Sequence, residues 1–116
     1  MPELPMSVDV PADIAIETIF VVEATYGPDA AEIRPRVRPE HLARIAELRD
    51  RGVVVEAGGY TDLSTALVLI RADSAEAALA IARDDIYLSS GVWVELRVKP
   101  FGRVIRPAEL PTATAS

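Results

Sequence analysis

The segment from Ala66 to Ile70 is apolar at every position, and this feature constrains the fold more than any other. Its short length and aliphatic side chains are typical of a β-strand. A second short run, from Ile19 to Val22, has the same character. A strand that is apolar on both faces needs a covering layer on each side, so both faces of the predicted sheet must be covered.

The other segments complete a β-α-β-β-α-β order, because short apolar runs and alternating patterns predict strands and apolar residues at helical spacing predict helices. Pro35 and Pro39 do not suit a helix interior, so the first helix is expected to start near Pro39. In chain order the sequence predicts a strand at 17–24, a helix at 39–51, strands at 53–59 and 66–70, a helix at 75–83 and a strand at 92–98.

This order predicts a ferredoxin-like α+β fold, a four-stranded antiparallel sheet with both helices on one face. Two helices leave the other face of the sheet uncovered, although the third strand is apolar there too. Either the same sheet of a second copy covers it in a homodimer, or the N-terminal segment folds back over it. We expect an extended segment at residues 1–15, the domain at 16–105 and a flexible tail at 106–116.

Composition argues against several classes of function. The 116 residues include 18 acidic and 12 basic side chains, and a net charge of -6 repels phosphate and anionic lipid, so we expect no nucleic-acid or membrane partner. With no cysteine and one histidine, the chain offers a poor metal site, and we expect neither a metal nor a cofactor. The lack of cysteine and of a signal-peptide pattern suits the cytoplasm, where we expect the protein.

The single histidine, His41, lies four residues before Ile45 and seven before Leu48. The helical repeat therefore turns it toward the sheet rather than toward water. Arg38 shares this face if the helix begins early enough. Either His41 is a structural residue hydrogen-bonded at the edge of the core, or it transfers protons with the help of a nearby carboxylate.

Candidate carboxylates stand at the corner before the last strand, where Asp84 and Asp85 follow each other. In the predicted fold this corner approaches the first helix, and an aspartate there would fix the tautomer of the imidazole of His41. Tandem aspartates also serve as turn formers, so this alternative stays open. The arginines at positions 34, 36 and 38 form either a solvated face or a cluster that attracts an anionic substrate.

Several short motifs occur in a fixed order along the chain. They are Arg38-Pro39-Glu40-His41-Leu42-Ala43-Arg44, then Glu56-Ala57-Gly58, then Asp85-Ile86-Tyr87 with Gly91-Val92, and finally Val98-Lys99-Pro100-Phe101. In this order and spacing the chain resembles the YCII-related, or YciI-like, domain family from about Ile19 to Ile105. The resemblance implies a dimeric α+β barrel with a pocket beside a His–Asp pair, which would be His41 and Asp85.

The resemblance implies a class of reaction but no particular substrate. One kind of relative is similar to a dehydrochlorinase that acts on a chlorinated hydroxyquinol, and related barrels include muconolactone isomerases. We predict a lyase or isomerase in which His41 transfers a proton, Asp85 orients it and Arg38 steadies an anionic oxygen. The alternative is a non-catalytic dimeric module that binds a small ligand or a partner protein. Residues expected to bind the substrate are Arg38, Tyr60, Thr65 and Tyr87.

The sequence departs from the pattern of the family at three places. Gly59 replaces a proline, Ile86 replaces a second proline, and Thr65-Ala66 stands where a Gly-Ser pair is common. The last change removes a hydroxyl that often lines the pocket in the family. Thr65 or Ser64 is the residue expected to supply that hydroxyl instead.

Overall fold

The computed structural model describes residues 10–111, which form an antiparallel sheet and the helices packed on it. In chain order the elements are β1 (Ala15–Tyr26), α1 (Ala30–Asp50), β2 (Val54–Gly59), β3 (Thr65–Ile70), α2 (Ala75–Arg83), α3 (Ile86–Ser89), β4 (Trp93–Ile105) and a 3-10 helix (Pro107–Glu109). The strands lie side by side in the order β2-β3-β1-β4. This is the predicted α+β architecture, to which the structure adds the short helix α3.

The start of α1 differs from the prediction, since the helix begins at Ala30 and not near Pro39. Pro35 and Pro39 both lie inside it. A proline lacks the N–H that would bond to the carbonyl one turn earlier, here the carbonyls of Ala31 and Pro35. These three positions are exposed and share one face of the helix, where water replaces the lost hydrogen bonds. The helix that carries His41 is therefore roughly two turns longer than expected.

The helices cover one face of the sheet, which consists of alternate residues of each strand. The buried side chains of this face are Val22, Ala24, Val54, Ala66, Val68 and Ile70, and those of the helices include Ala30, Leu48, Ala78, Ala82 and Tyr87. Together they form one apolar cluster. This cluster fixes all three helices over the same face of the sheet.

The opposite face, called here the open face, carries the other alternate residues of the strands. Val21 of β1 is buried, while its partner Leu69 and the neighbouring Leu67 on β3 are half-buried. Phe101 of β4 is 44% exposed. Both faces of β3 are therefore apolar, as the sequence predicts, and no helix of the described chain covers the second one.

The ends of the domain are tied together. Arg106 directly precedes the 3-10 helix, and its Nη1 donates to Oδ2 of Asp13 at 2.6 Å. The first residues of the predicted tail 106–116 are thus held beside the predicted N-terminal segment 1–15. The expectations for residues 1–9 and 112–116 lie outside the described residues.

Candidate active site

His41 lies in α1 with 9% of its surface exposed, and it forms a hydrogen bond to Asp85. The distance between Nδ1 of His41 and Oδ1 of Asp85 is 2.8 Å. Asp85 is the N-cap of α3, and the same oxygen accepts the backbone N–H of Tyr87 at 2.8 Å. The cap holds the carboxylate in place, and because a carboxylate only accepts hydrogen bonds, Nδ1 carries the proton of the neutral imidazole and Nε2 is the free nitrogen.

The carboxylate of Asp85 is ionised although only 1% of the residue is exposed. Burial by itself would raise the pKa of Asp85, but the hydrogen bonds from His41 and Tyr87 and the nearby charge of Arg44 outweigh it and lower the pKa below its ordinary value. Nη1 of Arg44 lies 3.3 Å from Oδ2 of Asp85, and Nη2 donates to the carbonyl of Ile81 at 2.9 Å. Asp85 therefore acts as a fixed negative charge behind the imidazole.

Aromatic rings set the orientation of the imidazole. Tyr87 stacks on His41 with a centroid distance of 3.7 Å and an interplanar angle of 8°. Trp93 meets His41 edge-on at 5.4 Å and Tyr87 edge-on at 5.3 Å. This packing covers one side of the imidazole and resists its rotation. Nε2 makes no hydrogen bond to residues 10–111 and is not sealed from solvent.

A cavity of about 140 Å³ opens beside His41, between α1 and the sheet. Its charged lining residues are Arg34 and Arg38 of α1, and no carboxylate lines it. On the sheet side Gly59 leaves room for Tyr26, since a Cβ at position 59 would collide with the tyrosine hydroxyl. The remaining lining residues are Leu42, Ile45, Ala57, Gly58, Ala66, Val68, Tyr87 and Trp93.

Tyr26, at the end of β1, places a hydroxyl group beside this cavity. Burial raises the pKa of Tyr26 above its ordinary value, while the charges of Arg34 and Arg38 act against that shift without cancelling it. The indole of Trp93 lies near enough to favour the phenolate slightly, yet its N–H forms no hydrogen bond. The hydroxyl of Tyr26 is therefore protonated at neutral pH and is available as a donor.

Most of the predicted site residues come together in the structure. Asp85 reaches His41, Tyr87 stacks on it, and Arg38 lines the same cavity because α1 begins early enough to include it. Of the two tandem aspartates, Asp84 is exposed and only Asp85 points inward. The cap of α3 explains this choice, since the N-cap side chain must turn back toward the first N–H groups of its helix.

Tyr60 and Thr65 do not join the cavity, and their predicted place there is corrected. Thr65 pairs with Thr25 and alternates with Ala66, which is the residue of β3 that lines the cavity. Side chains alternate along a strand, so Thr65 belongs to the open face. There it lines a separate hollow of about 260 Å³ together with Tyr60, Leu67 and Leu69. Ala66 leaves the cavity without the hydroxyl that Thr65 was expected to supply.

Three further residues of the site escaped the sequence analysis. Arg44 lies within the first family motif, one turn after His41, and its spacing was a usable signal. Tyr26 stands in a turn-like stretch, where nothing in the sequence indicated a role in the site. Trp93 lies in the predicted last strand, where no pattern singled it out, and a register shift between Thr25 and Tyr26 turns it inward, where it is 2% exposed.

The arrangement as a whole suits proton transfer. Nε2 of His41 is a base with a fixed tautomer, and cationic and hydroxyl donors face the same cavity. Within residues 10–111 no group of three or more His, Cys, Asp and Glu residues is arranged to hold a metal ion. The helices of that same stretch include none that is long and apolar enough to cross a membrane.

In comparison with known proteins, residues 18–102 match the YCII-related domain. The chain belongs to the YCII-related family. Protein YciI of Escherichia coli is 35% identical over 96 residues, a match that covers 74% of this chain and 98% of YciI. A protein of Haemophilus influenzae is 30% identical over 98 residues and is covered over 97% of its length, against 73% of this chain.

One solved structure shares the fold of this YCII-related chain. It is 5-chloro-2-hydroxyhydroquinone dehydrochlorinase, TftG, from Burkholderia phenoliruptrix, in complex with 2,5-dihydroxybenzoquinone. The TM-score is 0.60 at 16% identity, and the match covers 72% of this chain and 92% of TftG. The likeness shows a common α+β fold, and the neighbour that has this fold is a lyase by its name.

Proposed function

We propose that this YCII-related protein is a small-molecule lyase or isomerase in which His41 transfers a proton. One observation carries the proposal. The imidazole is held through Nδ1 by the buried, ionised Asp85, and its other nitrogen is free beside a cavity. A neutral imidazole held in one tautomer is a general base suited to neutral pH, and such a group typically contributes about 10²–10⁴-fold to a rate.

The neighbouring residues have separate roles in this proposal. Asp85 fixes the tautomer and stabilises the imidazolium that forms when Nε2 takes up the proton. Loss of a proton from carbon beside a carbonyl group, or from an enol hydroxyl, leaves negative charge on oxygen. Arg38, on the same helix one turn before His41, supplies positive charge to the same cavity and steadies that oxygen. The ring of Tyr87, which stacks on the imidazole of His41, holds the imidazole in its orientation.

The structural neighbour supports the lyase side of the proposal. A dehydrochlorinase removes the elements of HCl from its substrate, and the loss of the proton calls for a base of the kind that His41 would provide. The name of TftG gives a compound for the first assay, 5-chloro-2-hydroxyhydroquinone.

We also propose that the protein works as a homodimer in the cytoplasm, with the open faces of two sheets packed together. Leu67, Leu69 and Phe101 give this face an apolar surface that no helix of the described chain covers. The hollow beside Tyr60 and Thr65 lies on the same face and would be closed by the partner. A two-fold axis allows the same apolar surface to cover itself.

The proton-transfer role is tested with 5-chloro-2-hydroxyhydroquinone and with small cyclic enols in D₂O. Chloride release is followed with an ion-selective electrode and deuterium uptake by NMR. We expect the protein to accelerate at least one of these reactions, and His41→Gln to lower the rate by about 100-fold or more. Glu47→Gln, which changes an exposed residue of the same helix, is the control and should retain the full rate.

Two outcomes would contradict the proposal. An unchanged rate in His41→Gln would show that another group moves the proton. Tight binding of these compounds without turnover by the wild-type protein would favour the alternative function, a non-catalytic module that binds a small ligand.

A further inference from the structure

We propose that Arg34 and Trp93, with the hydroxyl of Tyr26, form an oxyanion-binding subsite, and that the cavity takes a small single-ring compound with a carboxylate or enolate oxygen. The inference rests on the proposed function, because it gives the substrate of His41 a chemical class. The three residues line the same cavity as His41. Two of the following observations point to a negatively charged acceptor there, and the third points to a single ring.

The first observation is that the cations of the cavity have no anions beside them. Arg34 and Arg38 line it, no carboxylate does, and neither arginine forms an ion pair within residues 10–111. The arginines of that stretch that do pair with carboxylates are Arg44, Arg49, Arg71, Arg97, Arg103 and Arg106. Unpaired guanidinium groups in a concave, partly apolar site favour an anionic ligand.

The second observation is a pair of buried donors that lack acceptors. Nε of Arg34 and the indole nitrogen of Trp93 are both buried, and neither has an acceptor in good hydrogen-bond geometry in the described part of the chain, although the indole N–H lies close to the hydroxyl of Tyr26. Trp93 is only 2% exposed. Buried N–H groups without acceptors are costly and uncommon. A ligand that enters the cavity with an anionic oxygen would offer such donors an acceptor.

The third observation is the size and shape of the cavity. Its volume of about 140 Å³ matches the space that a single six-membered ring requires, since cavities of ~150 Å³ bind benzene. Aromatic side chains of Tyr26, Tyr87 and Trp93 form part of its wall, and Gly58 and Gly59 leave part of the sheet side without side chains. Such walls suit a flat ring.

The sole tryptophan of the chain makes the test direct, because Trp93 gives the only indole N–H signal in a ¹H–¹⁵N spectrum. The ¹⁵N-labelled protein is titrated with benzoate, with ionised 4-cyanophenol and with neutral benzamide. We expect at least one of the two anions to move the indole signal and to bind about tenfold more tightly than benzamide. Tighter binding of benzoate would indicate a ligand with a carboxylate, and tighter binding of ionised 4-cyanophenol would indicate one with an enolate-like oxygen.

Substitutions assign the effect to the subsite. Arg34→Gln should abolish the preference for the anion, and Tyr26→Phe should weaken anion binding several-fold, which keeps the test valid if one variant fails to fold. Arg36→Gln removes the same charge from an exposed residue outside the cavity and should retain the full preference. The thermal midpoint of each variant reports its folding.

The inference is overturned if benzamide binds as tightly as both anions, if Arg34→Gln keeps the preference, or if Arg36→Gln loses as much of it. None of these measurements involves turnover. If the protein prefers the anion through Arg34 but the His41→Gln variant turns over substrate as fast as the wild type, the proposed function is refuted and the subsite stands. If turnover depends on His41 but no anion is preferred, the subsite is refuted and the proposed function stands.

Discussion

Each face of the sheet holds a buried carboxylate between two hydrogen-bond donors, at least one of which is an arginine. On the helix face, Asp85 binds His41 and Arg44 and has a lowered pKa. On the open face, Glu17 is 9% exposed and binds Nε of Arg71 at 2.6 Å and Nη1 of Arg103 at 3.2 Å. The hydrogen bond from Arg71 is the main reason that the pKa of Glu17 is lowered, and it outweighs the opposite effect of burial.

The two sites differ in what their partners leave free. Arg71 uses Nε and Nη2 on Glu17 and Nη1 on the carbonyl of Gly52, so its donors are engaged by the chain itself. His41 uses one nitrogen on Asp85 and keeps the other at a cavity. A lowered carboxyl pKa therefore marks ion pairing in both places. The free ring nitrogen beside an open cavity is the feature that indicates a catalytic site.

The largest expected difference between the two faces is in the rate of proton transfer. Asp85→Asn should lower the rate of the His41-dependent reaction about 1,000-fold, because an amide no longer selects the tautomer with the proton on Nδ1. Glu17→Gln should leave that rate within about twofold of the wild type, since no atom of Glu17 lines the cavity. Steady-state kinetics checks both. Equal losses in the two variants would remove the distinction between the faces.

The next effect concerns assembly through the open face. Light scattering of the wild-type protein should give twice the chain mass of 12.5 kDa. Leu69→Lys places a charge on each side of the two-fold interface and should weaken dimerisation by about 100-fold or more. Leu110→Lys, at an exposed position beyond the last strand, is the matched control. A wild-type monomer at micromolar concentration would refute the dimer.

The smallest effect is on stability and its dependence on pH. Folding lowers the pKa of both Glu17 and Asp85, so each ionised carboxylate stabilises the folded state. This stabilisation is fully present above the ordinary pKa values of 4.5 for Glu17 and 3.8 for Asp85, and it is lost as the pH falls toward the pKa values of the folded state. At neutral pH we expect Glu17→Gln and Asp85→Asn each to cost about 2 kcal/mol of unfolding free energy.

Urea unfolding at a series of pH values measures this dependence. The difference between wild type and Glu17→Gln should begin to shrink at a higher pH than the difference for Asp85→Asn, because the ordinary pKa of a glutamate is higher. A difference that stays constant with pH would mean that the carboxylate is not the source of the stabilisation.

Much of the fold was predictable because it depends on spacing along the chain. The apolar run Ala66–Ile70 identified a strand with two apolar faces, and the helical repeat turned His41 toward the sheet. The start of α1 was not predictable in this way. Pro35 and Pro39 normally exclude a helix interior, and they are tolerated here because their positions face water.

The residues of the candidate site show the same difference between what spacing along the chain predicts and what it does not. Arg38 and His41 share a helix, so their common face followed from the sequence, whereas the inward turn of Trp93 arose from a register shift against β1. Thr65, expected to supply a hydroxyl to the pocket, lies on the opposite face of the sheet, because one residue of register decides between the two faces of a strand.

The sequence by itself determined the order of strands and helices, the side of the helix that His41 occupies and the lack of thiol chemistry. These properties depend on residue type and on spacing within one segment. Only the tertiary structure decided that Asp85 rather than Asp84 meets His41, and that Tyr26 and Trp93 share its cavity. Such meetings depend on the register and packing of segments far apart in the chain, and no local pattern encodes them.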